Sequence, residues 1–222
     1  MFVRCCTIYG RTALCYLRSG LLFGAGDKPY AGNCPTAVER ELMQQVESIY
    51  LHDEETRRLA LAAARTEAAG YCRQTRLEEV MAFATSIEAT RLGIAHCVGL
   101  SREASLLQDI LQAHGFEAHA LCCKVGSLPK EKVGLTDDEK VHPGHYEALC
   151  SPVAQAKLFN QLGTHLNILV GLCVGHDSLF FRYSEAPVTV LVAKDRVTGH
   201  NPVAALYTSH SYYRKLKDRQ NE

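Results

Sequence analysis

The stretch LNILVGLCVGHDSLFF, residues 166–181, decides the fold. Its first half is a short unbroken apolar run, the length of a strand buried on both faces of a sheet. Its second half breaks at Cys173, Gly175, His176 and Asp177 and then turns apolar again toward a short helix. A buried strand that stops at a glycine-bounded turn and enters a helix is one unit of a parallel α/β sheet.

Working outward, the same unit repeats. Ser151-Pro152 opens a helix over VAQAKLFNQLG, with proline in its first turn and Gly163 at its end. FEAHALCCKVG reads as a strand ending in Cys122 and Cys123, and RLGIAHCVG as a strand ending in Cys97. Between them Ser101 is placed to cap REASLLQDILQAHG, which stops at Gly115. Downstream, APVTVLVAKD is a strand, and a helix starts near Pro202. The order β-α-β-α-β-α-β-α predicts a parallel sheet flanked by helices, a Rossmann-like or flavodoxin-like three-layer α/β fold with right-handed crossovers.

Four zones follow. Residues 1–35 form an irregular segment containing Cys5, Cys6, Cys15 and Cys34, without a C-x-x-C pair. Residues 36–90 are helical: Thr36 and Glu39 make a capping-box pair, Asp53 starts a second helix, and RLEEVMAFATSIEA is a third. Residues 91–208 are the α/β metal-binding domain, and 209–222 a polar tail. Cys72 reads as a packing residue on a helix, and Phe180, Phe181 and Tyr183 as core. His96, His114 and His119 read as structural histidines.

Composition narrows the function. Lysine and arginine number 24, as do aspartate and glutamate, so no net field gathers polyanions and nucleic acid is not expected as a partner. No apolar stretch reaches the roughly 18 residues of a spanning helix. The N-terminus is interrupted by polar residues and makes a poor secretory signal. Ten cysteines without such a signal point to reduced thiols, and so to the cytoplasm. There is no G-x-G-x-x-G, Walker motif or H-E-x-x-H, and GLCVGHD lacks the serine of a nucleophile elbow.

What remains is the repeated placement of reactive residues. In an open parallel sheet, ligands sit beyond the carboxyl ends of the strands. Cys97, Cys123 and Cys173 fall there, and Cys150, just before a helix, belongs to the same edge. Four thiolates suit an iron–sulfur cluster first and zinc second. Gly99 and Gly175 would bring backbone amides to the bound group, with Asn201 beside them. His176, Asp177, Asp195 and His200, in the loops after the strands, are the acid–base candidates. Two other readings use the same residues: a metal-free thiol enzyme built on Cys173 with His176 and Asp177, and a non-catalytic metal or small-molecule sensor. Composition does not decide whether turnover occurs, and a small molecule is the partner it allows.

RLGIAHCVGLSREASLLQDILQAHGFE, CCKVG and the run from Cys150 through GHNPVAALY resemble a bacterial family of uncharacterised cysteine-rich proteins, domain of unknown function 1847. Its members carry the label metal-binding protein. The resemblance covers residues 91–208 closely and the helical zone loosely. It implies a cysteine-rich N-terminus with C-x-x-C-like spacing, where this chain has Tyr9 in place of a second cysteine. It implies metal binding and brings no reaction with it.

Overall fold

The structure is a computed structural model that describes residues 2–8, 11–16 and 38–218. The chain divides into two compact units, Met1–Arg65 and Thr66–Glu222. In the first, β1 (Phe2–Ile8) and β2 (Arg11–Tyr16) pair antiparallel, so a zone expected to be irregular contains a strand pair. Helix α1 (Arg40–His52) follows, with Glu39 at its N-cap and no side-chain cap. Thr36 and Cys34 lie outside the described residues. Asp53 starts α2 (Glu54–Gly70) as expected, its Oδ1 accepting the Thr56 amide at 2.7 Å.

The second unit contains α3 (Arg76–Ser86), where Thr75 and Glu78 form a complete capping box. Then come β3 (Arg91–His96), α4 (Ser101–Ala113), β4 (Glu117–Cys122), α5 (Pro152–Leu162), β5 (Leu166–Val170), α6 (His176–Tyr183), β6 (Val188–Val192) and α7 (Val203–Tyr207). The strands lie in the order β4-β3-β5-β6, all parallel. This is the three-layer α/β arrangement that the apolar runs predict.

The topology matters more than the class. From β3 the chain moves outward to β4, crosses back over β3 to β5, and continues outward to β6. The winding direction therefore reverses between β3 and β5, and the carboxyl ends of these two strands are the place where sheets of this kind take ligands. Right-handed crossovers put α4 on one face and α5 and α6 on the other.

Alternation along the strands fills both faces. Every residue of β5 is buried. Ala95, Cys97 and Leu169 pack with Ala156, Phe159 and Phe180. The two phenyl rings meet edge to face at 6.2 Å and 70°, a geometry worth about 0.5–1.5 kcal/mol beyond burial. Gly93 makes room for them: a Cβ there would lie 2.2 Å from Asn167 Oδ1 and 2.9 Å from Phe159 Cγ. Asn167 is fully buried, and its polar atoms are satisfied by Thr164 Oγ1 and Ser184 Oγ, each at 2.8 Å.

Three local readings change. Ser101 is the first residue of α4, not its cap, because a 3₁₀ turn over Val98–Leu100 has already brought the chain into helical geometry. Its hydroxyl donates back to Val98 O at 2.8 Å. Cys72 is exposed and sits beyond α2 with φ of +55°, so it is not a packing residue. Of the three aromatics on α6 only Phe180 is core; Phe181 and Tyr183 are at least a third exposed, and Arg182 lies 6.0 Å over the Tyr183 ring. Among the described residues no helix is long and apolar enough to cross a membrane.

Candidate thiolate site at the sheet edge

The carboxyl ends of the parallel ladder deliver the cysteines. Cys97 and Cys123 each continue the ladder one residue past their strands: the Cys97 amide donates to Val170 O at 3.2 Å, and that of Cys123 to His96 O at 2.8 Å. Cys173 follows Gly171, whose amide is pinned to Val192 O at 2.8 Å. Cys150 is brought back by its neighbour, since Ser151 N donates to Cys123 O at 2.7 Å.

That return depends on the long connection from 124 to 149, which closes on itself at its neck. Leu149 N donates to Leu128 O at 2.6 Å, Lys130 N to Glu147 O at 3.1 Å, and Pro129 bridges Ala148. The Lys130 and Glu147 side chains form an ion pair beside this ladder. Further out, the Lys140 ammonium, nearly buried, pairs with Asp137 at 2.9 Å and with Glu131. A loop of this length, so closed, behaves as a folded element rather than a tether.

The four thiols thus share one wall. Cys97 and Cys123 belong to the buried cluster with Leu172, Phe159 and Phe180, and Cys150 and Cys173 pack against it half-buried. None is in a disulfide. Of the adjacent pair, Cys123, nearer the strand end, is the buried one, and Cys122 is only partly buried.

Each sulfur has a distinct environment. The Val98 amide donates to Cys123 Sγ at 3.3 Å, and Arg196 Nη2 to Cys173 Sγ at 3.1 Å. Cys123 and Cys150 are hydrogen-bonded to each other and hold one proton between them. The bond from Cys123 is the main reason that the Cys150 pKa falls, to about 5. Burial opposes that fall; the Lys124 ammonium and the His176 charge add to it. The same bond, followed by burial, pushes the Cys123 thiol up. The pair therefore favours the thiolate at Cys150 and the proton at Cys123.

A kinetic consequence follows for the intact protein. Alkylation of Cys150 by iodoacetamide, mapped by mass spectrometry, is expected to rise through a midpoint near pH 5 and then level off. A free thiol such as glutathione is still rising at pH 7. Stability follows the same proton. Between pH 5 and 9 the unfolded chain binds a proton at Cys150 that the folded chain has released, so stability rises with pH across that window.

The other candidates divide. Asp177 Oδ1 accepts the Ser178 amide at 2.8 Å, tying the carboxylate to its own helix start. The Asp177 and His176 amides both donate to Cys173 O, while the Cys173 sulfur is bonded to Arg196. His176 instead contributes charge to Cys150. Asp195 Oδ1 accepts the amides of Val197 and Thr198, and the Asp195 amide donates to His200 Nδ1 at 3.1 Å, so these two shape the loop after β6. Asn201 is exposed and its carbonyl accepts from Ala204. Gly175 is exposed with φ of +84°, and Gly99 lies beneath the Lys194 ammonium, 3.4 Å from where its Cβ would be. His96, His114 and His119 are each hydrogen-bonded, to Cys97 O, Ile110 O and Glu117 respectively. Among the described residues, no three His, Cys, Asp or Glu side chains are grouped so that one metal ion could be held by all.

Sequence reasoning missed the cations. Lys124 donates to Ala148 O at 2.5 Å and to Cys150, and Arg196 reaches Cys173. Lys194 extends past Gly171 to Gly99. Their only signal is position, directly after Cys123 and directly after β6.

A doubly wound sheet with thiols and cations at its switch point defines an α/β protein with a thiol-bearing sheet edge. Its segments over residues 34–191 match the family model described as a protein of unknown function (DUF1847), and the chain belongs to that family. An uncharacterized protein of Methanocaldococcus jannaschii is 40% identical over 188 residues, covering 84% of this chain and 92% of its own. This relative is archaeal, so the comparisons do not show the bacterial origin expected for the family. No solved structure matches.

Proposed function

We propose that this edge is a thiolate centre that binds a soft metal, as an iron–sulfur cluster or a zinc ion, through Cys97, Cys123, Cys150 and Cys173. The observation that carries the reading is the donor set: four free thiols from four separate segments, gathered on one buried wall. Thiolate sulfur is the ligand type that selects these metals. Two cations already bonded to sulfur, Lys124 and Arg196, suit the negative charge that a metal with four thiolates carries. Ligation requires the sulfurs to draw in from their present hydrogen-bonded spacing, and it displaces the proton that Cys123 holds. A reducing compartment, as the cytoplasm is, keeps such thiols free. Purification without oxygen, followed by metal and sulfide analysis, tests the proposal. Iron with equimolar sulfide and a broad brown absorption supports the cluster; colourless zinc-loaded protein supports the ion; neither metal above background sinks both.

The ionised Cys150 supports a second reading, thiol chemistry without a metal, with Cys150 rather than Cys173 as nucleophile. Unchanged metal-free protein after incubation with excess iodoacetamide at pH 7 would remove it.

A further inference from the structure

Lys124 and Arg196 are each committed to a sulfur, whereas Lys194 is not. The Lys194 stem leaves the end of β6 and passes Gly171 beyond β5, where a Cβ would lie 3.5 Å from its Cδ. Its ammonium ends over Gly99 beyond β3, 3.4 Å from where a Cβ would be. The side chain thus spans three adjacent strand ends and sets a positive charge at the edge where the winding reverses. It is half-buried and has no hydrogen bond or carboxylate partner among the described residues. A lysine stem ordinarily carries its charge out to water; here it is turned inward along the protein surface.

The loops around it also carry exposed apolar side chains. Val98, Val174 and Val197 follow β3, β5 and β6, and they are 51%, 92% and 78% exposed. Three exposed valines in the loops after adjacent strands offer apolar surface at the same sheet edge. An edge with one uncommitted cation and exposed apolar side chains recognises a charged head and a hydrocarbon body together.

We propose that the sheet edge at the ends of β3 and β5 binds a small organic anion, its acid group on Lys194 over Gly99 and its apolar body against the valines. This places the acid group's neighbours within the thiolate site, and so names a substrate or effector class for it. The binding itself does not depend on the metal.

The test is calorimetric titration of the full chain, metal-loaded and metal-free, with hexanoate as probe and 1-hexanol as its uncharged counterpart. Saturable hexanoate binding is expected, weakened at least tenfold by Lys194→Met, restored largely by Lys194→Arg, and reduced by salt. Metal content is expected to be the same in all three proteins. Equal hexanoate affinity in Lys194→Met, equal affinity for 1-hexanol, or no saturable binding overturns the inference. Lys194-dependent binding by a protein that takes up no metal leaves this inference standing and removes the metal reading instead.

Discussion

A Cys150→Ser protein is expected to bind zinc at least a hundredfold more weakly than the parent chain. The reasoning starts from the proton. In the parent protein the Cys150 pKa is lowered to about 5, chiefly because Cys123 donates to it, with the Lys124 ammonium adding to the effect against the cost of burial. It is the sulfur that needs no deprotonation before it ligates. A serine hydroxyl does not ionise in this range, and it is a hard donor where a soft one is needed. A full structural zinc set is worth about 10–16 kcal/mol, so losing one of four thiolates removes roughly a quarter, on the order of 3 kcal/mol. Each 1.4 kcal/mol is about tenfold in affinity, which gives the hundredfold figure. The control is Cys72→Ser, an exposed cysteine outside the wall, expected to change nothing. Proton release measures the same event independently: zinc binding displaces the proton that Cys123 holds, whereas Cys150, its pKa lowered to about 5, has none to give at pH 7. Wild-type affinity in Cys150→Ser would put the ligands elsewhere, with Cys5, Cys6, Cys15 and Cys34 the first to test.

The reach of sequence reasoning here follows the range of the interactions. The sheet was legible because LNILV has no polar residue except Asn167, and such a run packs only inside a two-sided sheet. The thiols were legible because parallel strands all end at one edge, so a residue type repeated at strand ends is a residue type repeated in space. Adjacency in sequence was a poorer guide. Cys173, His176 and Asp177 look like a unit, yet α6 starts between them, Asp177 turns to the Ser178 amide, and His176 acts on Cys150. The partner that Cys173 does find, Arg196, lies 23 residues on. Lys194 was illegible for the same reason: a lysine after a strand is ordinarily solvated, and only the fold turns its stem back over two glycines. The Cys123–Cys150 pair needed the closed neck of the 124–149 connection, whose hydrogen bonds have no sequence signature.

Gly171→Ala is expected to cost roughly 2–5 kcal/mol of stability and to disturb the thiols at the same time. Gly171 has φ of +69°, a region where any residue with a Cβ is strained by about 1–2 kcal/mol. A Cβ there would also lie 2.0 Å from Leu100 Cδ1, and Leu100 is buried. Overpacking of this kind costs about 1–3 kcal/mol. The backbone cannot simply retreat, because the Gly171 amide is bonded to Val192 O across the sheet. Gly175→Ala separates the two causes: its φ is +84°, but nothing lies within 4 Å of its added Cβ. It should show only the backbone cost in urea unfolding, and the difference between the two variants measures the packing against Leu100. That packing reaches the site, since Leu100 ends the turn that begins at Val98, whose amide donates to Cys123 Sγ. Displacing Leu100 should lengthen that bond and raise Cys123 alkylation in Gly171→Ala but not in Gly175→Ala. Equal unfolding midpoints for the two variants would mean that Leu100 yields freely, and that the packing beneath the sheet edge is softer than its burial implies.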